Sequence, residues 1–284
     1  MEPPLKKPGW IRVRAPAGDT WKKVDAALSR RGLHTVCDEA RCPNKGECWG
    51  MGTAAFMILG DLCTRGCRFC AVATAREGRP LREEEGEEIA LAAAELNLDY
   101  VVLTSVDRDD LADRGASHFA RCVRALKRKN PEGTVEVLIP DYHGAELETL
   151  AEAEPGVIAH NIETVRRLQG IRDPRASFDK SLRTLREARG LTKSSILLGL
   201  GETGEEVRSA MEELRAAGVD ILVLGQYLRP SPRQIPVAEY VSPEQFERYG
   251  NLALDLGFSS VVSSPLARTS YHAKSNHADA AHAG

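Results

Sequence analysis

Six short apolar, β-branched runs alternate with six helical patterns through the middle of the chain, and that alternation narrows the fold more than any other feature. The runs cover 55–60, 100–104, 134–139, 157–160, 195–200 and 220–224. The helical patterns cover 87–96, 117–129, 145–153, 178–188, 205–217 and 243–256, and a seventh apolar run at 259–263 closes the series. Ser242 and Pro243 supply a cap and a first-turn proline to the last helix, and Gly257 a stop. Strands that are continuously apolar are buried on both faces, so the units predict a parallel sheet covered by helices. Right-handed crossovers can curl such a sheet into a full or partial barrel. A doubly wound open sheet is the competing topology, weakened by the lack of a glycine-rich fingerprint after the first strand. In a barrel the chemistry sits in loops after the strand C-termini.

At 284 residues the chain suits one α/β barrel, and its 42% hydrophobic and 28% charged residues are those of a globular protein. No apolar run approaches the ~18 residues that span a bilayer, and the first ten residues have no secretory apolar stretch, so the expected location is cytoplasmic. A net charge of −3 without a basic tail argues against a nucleic-acid partner. The acidic run 82–88 reads as a solvated helix start, and the Ala- and His-rich tail 274–284, with His277 and His282, as frayed.

Of seven cysteines, six fall between Cys37 and Cys70, a clustering that in an intracellular enzyme points to metal or catalysis. Cys63, Cys67 and Cys70 follow the first strand within three residues of Gly60, with spacing C-x3-C-x2-C. Three thiolates on one tight loop can hold three corners of a cubane cluster and leave the fourth iron open, as catalysis requires. A zinc loop is the alternative, although zinc sites favour paired C-x2-C hooks. Cys37, Cys42 and Cys48, spaced C-x4-C-x5-C, precede the barrel; Pro43, Asn44 and Gly46 mark turns, so a loop rather than a helix is expected there.

The C-x3-C-x-aromatic-C loop resembles the signature of the radical S-adenosylmethionine enzymes. The wording Arg41-Cys42-Pro43-Asn44-x-Gly46-Glu47-Cys48-Trp49 and the later Arg268-Thr269-Ser270-Tyr271-His272-Ala273 are similar to lipoyl synthase. The resemblance runs from Lys7 to Ala273 and includes 103–110, Asn161-x-Glu163-Thr164, 193–202 and 226–231. It implies an α/β fold, a partial (β/α)6 barrel of the radical SAM type with N-terminal and C-terminal extensions. The corresponding division is 1–52 for the auxiliary-cluster loop, 53–257 for the barrel and 258–284 for the segment carrying the serine motif.

The resemblance further implies two [4Fe–4S] clusters and S-adenosyl-L-methionine as cosubstrate. Cys63, Cys67 and Cys70 would hold the cluster whose electron cleaves the cosubstrate to a 5′-deoxyadenosyl radical. Cys37, Cys42 and Cys48, with Ser270 as fourth ligand, would hold an auxiliary cluster that gives up sulfide. Serine oxygen is harder than thiolate and releases soft iron more readily. Thr269 departs from the commoner serine but is not the ligating position. Phe69 is expected near the adenine, Thr104 and Ser105 at the methionyl end, and Asn161 and Glu163 at the ribose. The implied substrate is an octanoyl-lysine on a lipoyl carrier domain, from a 2-oxoacid dehydrogenase E2 or the glycine cleavage H protein, sulfurated at C6 and C8. Ferredoxin or flavodoxin would donate electrons.

Two rivals are weighed against this. A two-cluster radical methylthiotransferase acting on tRNA would need a basic domain, which is missing from the sequence; a zinc-binding scaffold would be colourless and free of iron. Cys122 falls on a helical pattern with Phe119, Val123 and Leu126 and reads as a core thiol. His160 reads equally as pocket or core, His143 as a turn residue, and Asp109-Asp110 as an acidic pair the chemistry does not need.

Overall fold

All six expected strand–helix units form in the computed structural model, which describes residues 5–13, 15 and 17–283. The strands are β1 (His34–Thr35), β2 (Ala55–Ile58), β3 (Leu62–Cys63), β4 (Ala73–Thr74), β5 (Tyr100–Ser105), β6 (Thr134–Leu138), β7 (Val157–Ala159), β8 (Leu191–Leu198), β9 (Ile221–Gln226) and β10 (Ser260–Ser264). The helices are α1 (Asp19–Ser29), α2 (Val36–Glu39), α3 (Lys45–Gly50), α4 (Glu85–Glu95), α5 (Ala116–Lys129), α6 (Ala145–Ala151), α7 (Phe178–Glu187), α8 (Gly204–Ala216), α9 (Pro243–Asp255) and α10 (Ala273–Ala283). Strand order is β1-β2-β5-β6 in one part of the main sheet and β8-β9-β10 in another, with every strand after β1 parallel to its neighbour in the pairs β2-β5, β5-β6, β8-β9 and β9-β10. No helix among the described residues is long and apolar enough to cross a membrane.

Two compact units divide the chain, one of residues 13–66 and 71–158, the other of residues 1–12, 67–70 and 159–284. In the first, β1 pairs antiparallel with β2, β2 parallel with β5 and β5 parallel with β6. Ile58 stands opposite Ser105 and Thr104 opposite Leu138, so these three strands end at one edge. Phe56, Ile58, Ile89, Leu103, Phe119, Val123 and Val137 are buried around them. In the second unit β8 pairs parallel with β9, and β9 with β10. Phe178, Leu182, Ile196, Met211, Leu214, Leu224 and Phe246 build its core.

Helix starts follow the side-chain chemistry. The Ser177 hydroxyl accepts the Lys180 N–H, and the Ser242 hydroxyl accepts the Gln245 N–H ahead of Pro243. Thr203 and Glu206 cap each other's backbone reciprocally at the start of α8. Gly225 lets another chain segment pass close to β9: a Cβ there would stand 2.1 Å from the Ala267 carbonyl oxygen, so the turn carrying Thr269 and Ser270 can lie against the strand.

Four expectations change. The first cysteine triplet is not a loop: Thr35 caps α2 by accepting the Asp38 N–H, placing Cys37 on α2 and Cys48 on α3 with Cys42 between them. The acidic run does start α4, but Glu85 is only 4% exposed, accepts the Leu59 N–H and pairs with His118 Nε2 at 2.6 Å. The tail is helical, because Ala273, Asn276 and Ala280 bury one face of α10 and alanine favours helix. The His282 side chain and Gly284 lie outside the described residues, while His277 is half-buried. Finally, β8 begins at Leu191, since Thr192, Lys193 and Ser194 are polar yet buried and mask the strand from an apolar-run reading.

Thr203→Ala should lower unfolding stability by about 1 kcal/mol, the worth of an N-cap. Denaturant titration checks this, and an unchanged midpoint would contradict the capping role assigned to Thr203 at α8.

Candidate active site

The strand ends of the first unit converge on one guanidinium. Arg65, between Cys63 and Cys67 in sequence, is 6% exposed. Its Nε and Nη2 donate to Asp109 at 3.0 and 2.8 Å; its Nη1 pairs with Asp141 at 2.8 Å and with Asp107 at 3.3 Å. Asp107 and Asp109 follow β5, and Asp141 follows β6. Burial opposes the charge on Arg65, but the hydrogen bond to Asp109 and the attraction of Asp107 and Asp141 outweigh it and hold the group protonated. Thr64 completes the tie: its hydroxyl donates to the Asp107 carbonyl or Asp109 carboxylate and accepts the Asp109 N–H. The pair Asp109-Asp110 is thus structural, with Asp110 bound to Arg108.

Upstream, the turn from β2 into the cysteine loop is held at Leu59, whose φ of 69° is left-handed. Glu85 accepts its N–H at 3.1 Å, and Arg108 donates to its carbonyl at 3.0 Å. Glu85, His118 and the fully buried Cys122 have donor atoms within 4.8 Å of one another, a spacing some metals could use. Here His118 is committed to Glu85 and Arg121, so the group serves as a hydrogen-bonded anchor and Cys122 as core.

The Cys63 and Cys67 sulfurs face backbone donors, and Cys63 Sγ also lies 3.7 Å from the Asp107 carboxylate. No disulfide joins any two of the seven cysteines. The Arg65 and Asp107 N–H groups each lie 3.4 Å from Cys63 Sγ, and in the second unit the Asp173 N–H lies 3.4 Å from Cys67 Sγ. Amide donors of this kind stabilise thiolate and tune iron–sulfur clusters. Around Cys67–Cys70, the Arg68 N–H bonds Ile171, the Ile235 N–H bonds Arg68, and Gln234 Nε2 donates to the Cys70 carbonyl at 3.0 Å. Phe69 is half-buried.

Cys37, Cys42 and Cys48 are gathered by the backbone: the Cys42 N–H bonds the Cys37 carbonyl at 3.0 Å, and the Lys45 N–H that opens α3 bonds the Cys42 carbonyl. Burial pushes the Cys37 thiol up to about 11, with Cys42 adding to the rise. Burial also pushes Cys48 up to about 12, with Cys37 and Cys42 contributing. The three thiols lie close enough that each ionised neighbour raises Cys37 or Cys48 further. Trp49, fully packed beside them, approaches Cys37 closely enough to favour its thiolate, yet its indole N–H has no hydrogen bond of ordinary geometry. Lys45 lies 4.1 Å over the Trp49 ring and pairs with Asp38. The thiol set, with the Trp49 indole beside Cys37, fits an iron–sulfur cluster, whose sulfurs accept hydrogen bonds.

Among the expected cosubstrate contacts, Thr104 is buried on β5, and the Ser105 hydroxyl at that strand's end is buried without a partner among the described residues. A buried orphan hydroxyl fits a ligand that completes it. In the second unit Asn161 Nδ2 donates to Glu163 Oε1 at 3.1 Å. Glu163 has a left-handed φ of 65°, of the sort that gathers at functional sites. Ser270 occupies a half-buried turn in the same unit. His160 is core, bonded to Ser181 at 2.8 Å, and His143 is an exposed turn residue beside Arg114 and Glu146. The reading from residues missed Arg65 and its three aspartates, because only the fold brings loops 44 and 76 positions apart in the chain against one side chain.

Residues 57–214 match the radical SAM superfamily, and residues 2–42 match the N-terminal domain of lipoyl synthase of that family. Lipoyl synthase of Thermus thermophilus is 52% identical over 275 residues, covering 94% of this chain and 85% of its own. That of Anaeromyxobacter dehalogenans is 53% identical over 94% of both chains. The chloroplastic lipoyl synthase of Arabidopsis thaliana is 49% identical over 96% of this chain and 72% of its own. Among solved structures, methylornithine synthase aligns with TM-score 0.57 and 18% identity over 84% of this chain and 68% of that one. The hydrogenase maturase HydG of Carboxydothermus hydrogenoformans aligns with TM-score 0.60 and 15% identity over 78% and 56%. The last two are likenesses of fold.

Arg65→Met leaves Asp107 and Asp109 without their cation, while Asp141 keeps Arg114 at 3.0 Å, at a cost of about 3–5 kcal/mol. After anaerobic reconstitution its iron content should fall by about half, through loss of the cluster expected at the Cys63 loop. A full iron complement would exclude the anchoring role.

Proposed function

The chain belongs to the lipoyl synthase family of the radical SAM superfamily, and from that premise we propose which of its residues hold the clusters, the cosubstrate and the carrier. The family's activity is insertion of two sulfur atoms, at C6 and C8, into an octanoyl group on a protein lysine. When bound, S-adenosylmethionine and one [4Fe–4S] cluster supply the hydrogen-abstracting radical, and a second cluster supplies the sulfur.

We assign Cys63, Cys67 and Cys70 to the radical-generating cluster and Cys37, Cys42, Cys48 and Ser270 to the auxiliary one. On this reading 1–52 carries the auxiliary cysteines, 53–257 the barrel and 258–284 the serine ligand. Backbone N–H groups point at the Cys63 and Cys67 sulfurs, where iron-bound thiolates would accept them. Arg65 keeps the loop seated by tying it to Asp107, Asp109 and Asp141. The Ser105 hydroxyl, with Thr104 beside it, meets the methionyl end of the cosubstrate; Asn161 and Glu163 take the ribose hydroxyls, and Phe69 flanks the adenine. The observation that carries the assignment is the auxiliary triplet itself: three thiols gathered on α2, α3 and the turn between them, with the buried Trp49 indole beside Cys37.

The carrier we assign is an octanoylated lipoyl domain, of a 2-oxoacid dehydrogenase E2 or the glycine cleavage H protein, with ferredoxin or flavodoxin as one-electron donor. The need for single electrons at low potential supports that class of donor.

Anaerobic incubation with reductant, S-adenosylmethionine and an octanoyl-lysyl peptide should give a mass gain of two sulfurs less the hydrogens removed. About eight iron atoms per chain should accompany it. Zinc in place of iron, or unchanged peptide, would refute the reading. Ser270→Ala should still cleave the cosubstrate but stall short of the second sulfur. Full dithiolane formation by that variant would remove Ser270 from the ligand set.

A further inference from the structure

Thr269 sits beside the assigned ligand Ser270, but its hydroxyl points elsewhere. It is 8% exposed, and its Oγ1 lies 3.1 Å from Asn161 Oδ1 and 3.1 Å from the hydroxyl of Ser195, a buried residue of β8. The direction of these bonds follows from their ends. Glu163 Oε1 accepts from Asn161 Nδ2, which turns Asn161 Oδ1 toward Thr269. An amide oxygen only accepts, so Thr269 spends its single proton on Asn161. Ser195 must then donate to Thr269. The chain Ser195 to Thr269 to Asn161 to Glu163 runs one way and ends on a carboxylate.

The same residues are bound through their backbones. The Glu163 N–H bonds the Ser195 carbonyl at 3.2 Å, and the Leu197 N–H bonds the Glu163 carbonyl at 2.7 Å. These bonds clamp the left-handed Glu163 from β8, while Thr269 holds the side chain of its neighbour Asn161 from the C-terminal turn. That turn is seated independently of Thr269. The Gln226 N–H bonds the Pro265 carbonyl, the Ala267 N–H bonds the Ser264 carbonyl, and Gly225 leaves space for the Ala267 carbonyl.

We propose that Thr269 is a positioning residue for the cosubstrate: it orients the Asn161–Glu163 pair, so that seating the Ser270 turn and shaping the ribose contacts are a single event. The inference rests on the assignment of Asn161 and Glu163 to the ribose. Its consequence is a coupling between the two halves of the reaction. Lifting the Ser270 turn withdraws the donor from Asn161 and loosens the grip on the nucleoside; by reciprocity, bound cosubstrate holds the turn down. A threonine serves here as well as the commoner serine, because the hydroxyl carries the function.

The test compares reconstituted holoenzyme with Thr269→Val, Thr269→Ser and Glu163→Gln. It reads equilibrium binding of S-adenosylmethionine without reductant, iron and sulfide content, and amide hydrogen exchange over 265–272. Thr269→Val should bind about tenfold more weakly at unchanged iron content, the worth of one buried hydrogen bond, and Thr269→Ser within about twofold of the parent. In the parent, cosubstrate should slow exchange over 265–272, and Thr269→Val should lose that slowing. If Thr269→Val binds like the parent while Glu163→Gln binds weakly, the inference fails and the ribose assignment survives. If Glu163→Gln also binds like the parent, the ribose assignment fails and takes the inference with it. Absence of slowed exchange in the parent overturns the coupling even if a variant fails to fold.

Discussion

A buried guanidinium among three carboxylates is the constraint on which the catalytic end of the first unit depends. Arg65 cannot be left without partners at 6% exposure, since an uncompensated buried charge costs several kcal/mol. Its partners come from the loops after β5 and β6, while Arg65 itself follows β3. The three loops are therefore set relative to one another by one planar, forked donor rather than by apolar packing, which could slide. Thr64 and the amide of Asp109 add neutral hydrogen bonds to the same junction. A lysine could supply the charge, but not the two parallel bonds to Asp109.

The same economy recurs where the chain is bent hardest. Leu59 and Glu163 both adopt left-handed backbone without being glycine, and in each case both backbone groups are hydrogen-bonded. At Leu59 the partners are buried charged side chains, Glu85 and Arg108; at Glu163 they are the backbone of β8. Unusual backbone persists only where its surroundings over-determine it. Leu59 precedes the Cys63 loop and Glu163 belongs to the Asn161 pair, whereas Asn97 and Glu154 adopt the same backbone just after α4 and α6.

The thiols show how little of a cluster site is built by covalent spacing alone. Cys37, Cys42 and Cys48 sit on two short helices and the turn between them, with Arg41 left-handed at the turn. Burial disfavours thiolate at Cys37 and Cys48, so ligation there must supply the energy that desolvation removes. Beside Cys48, Lys45 lies over the Trp49 ring, which packs against Trp21 at 5.5 Å between centroids.

The alternation of apolar runs and helical patterns, read by itself, determined the six strand–helix units, the parallel sheet and the order of the elements. It could do so because these follow from local periodicity and caps such as Ser242-Pro243. The two cysteine triplets likewise declared themselves by spacing, and the Thr269-Ser270 motif by its resemblance. Where the signal was local but disguised, it misled: polar Thr192, Lys193 and Ser194 concealed the start of β8, small alanines concealed α10, and turn-forming Pro43 and Asn44 outweighed the cap at Thr35. Tertiary structure alone decided that Arg65 meets Asp107, Asp109 and Asp141, that Glu85 reaches back to Leu59, and that Thr269 rather than solvent completes Asn161. The physical reason is common to all three. A buried polar group takes whatever partner the packing of distant elements brings within about 3 Å, and nothing in a linear pattern records that distance.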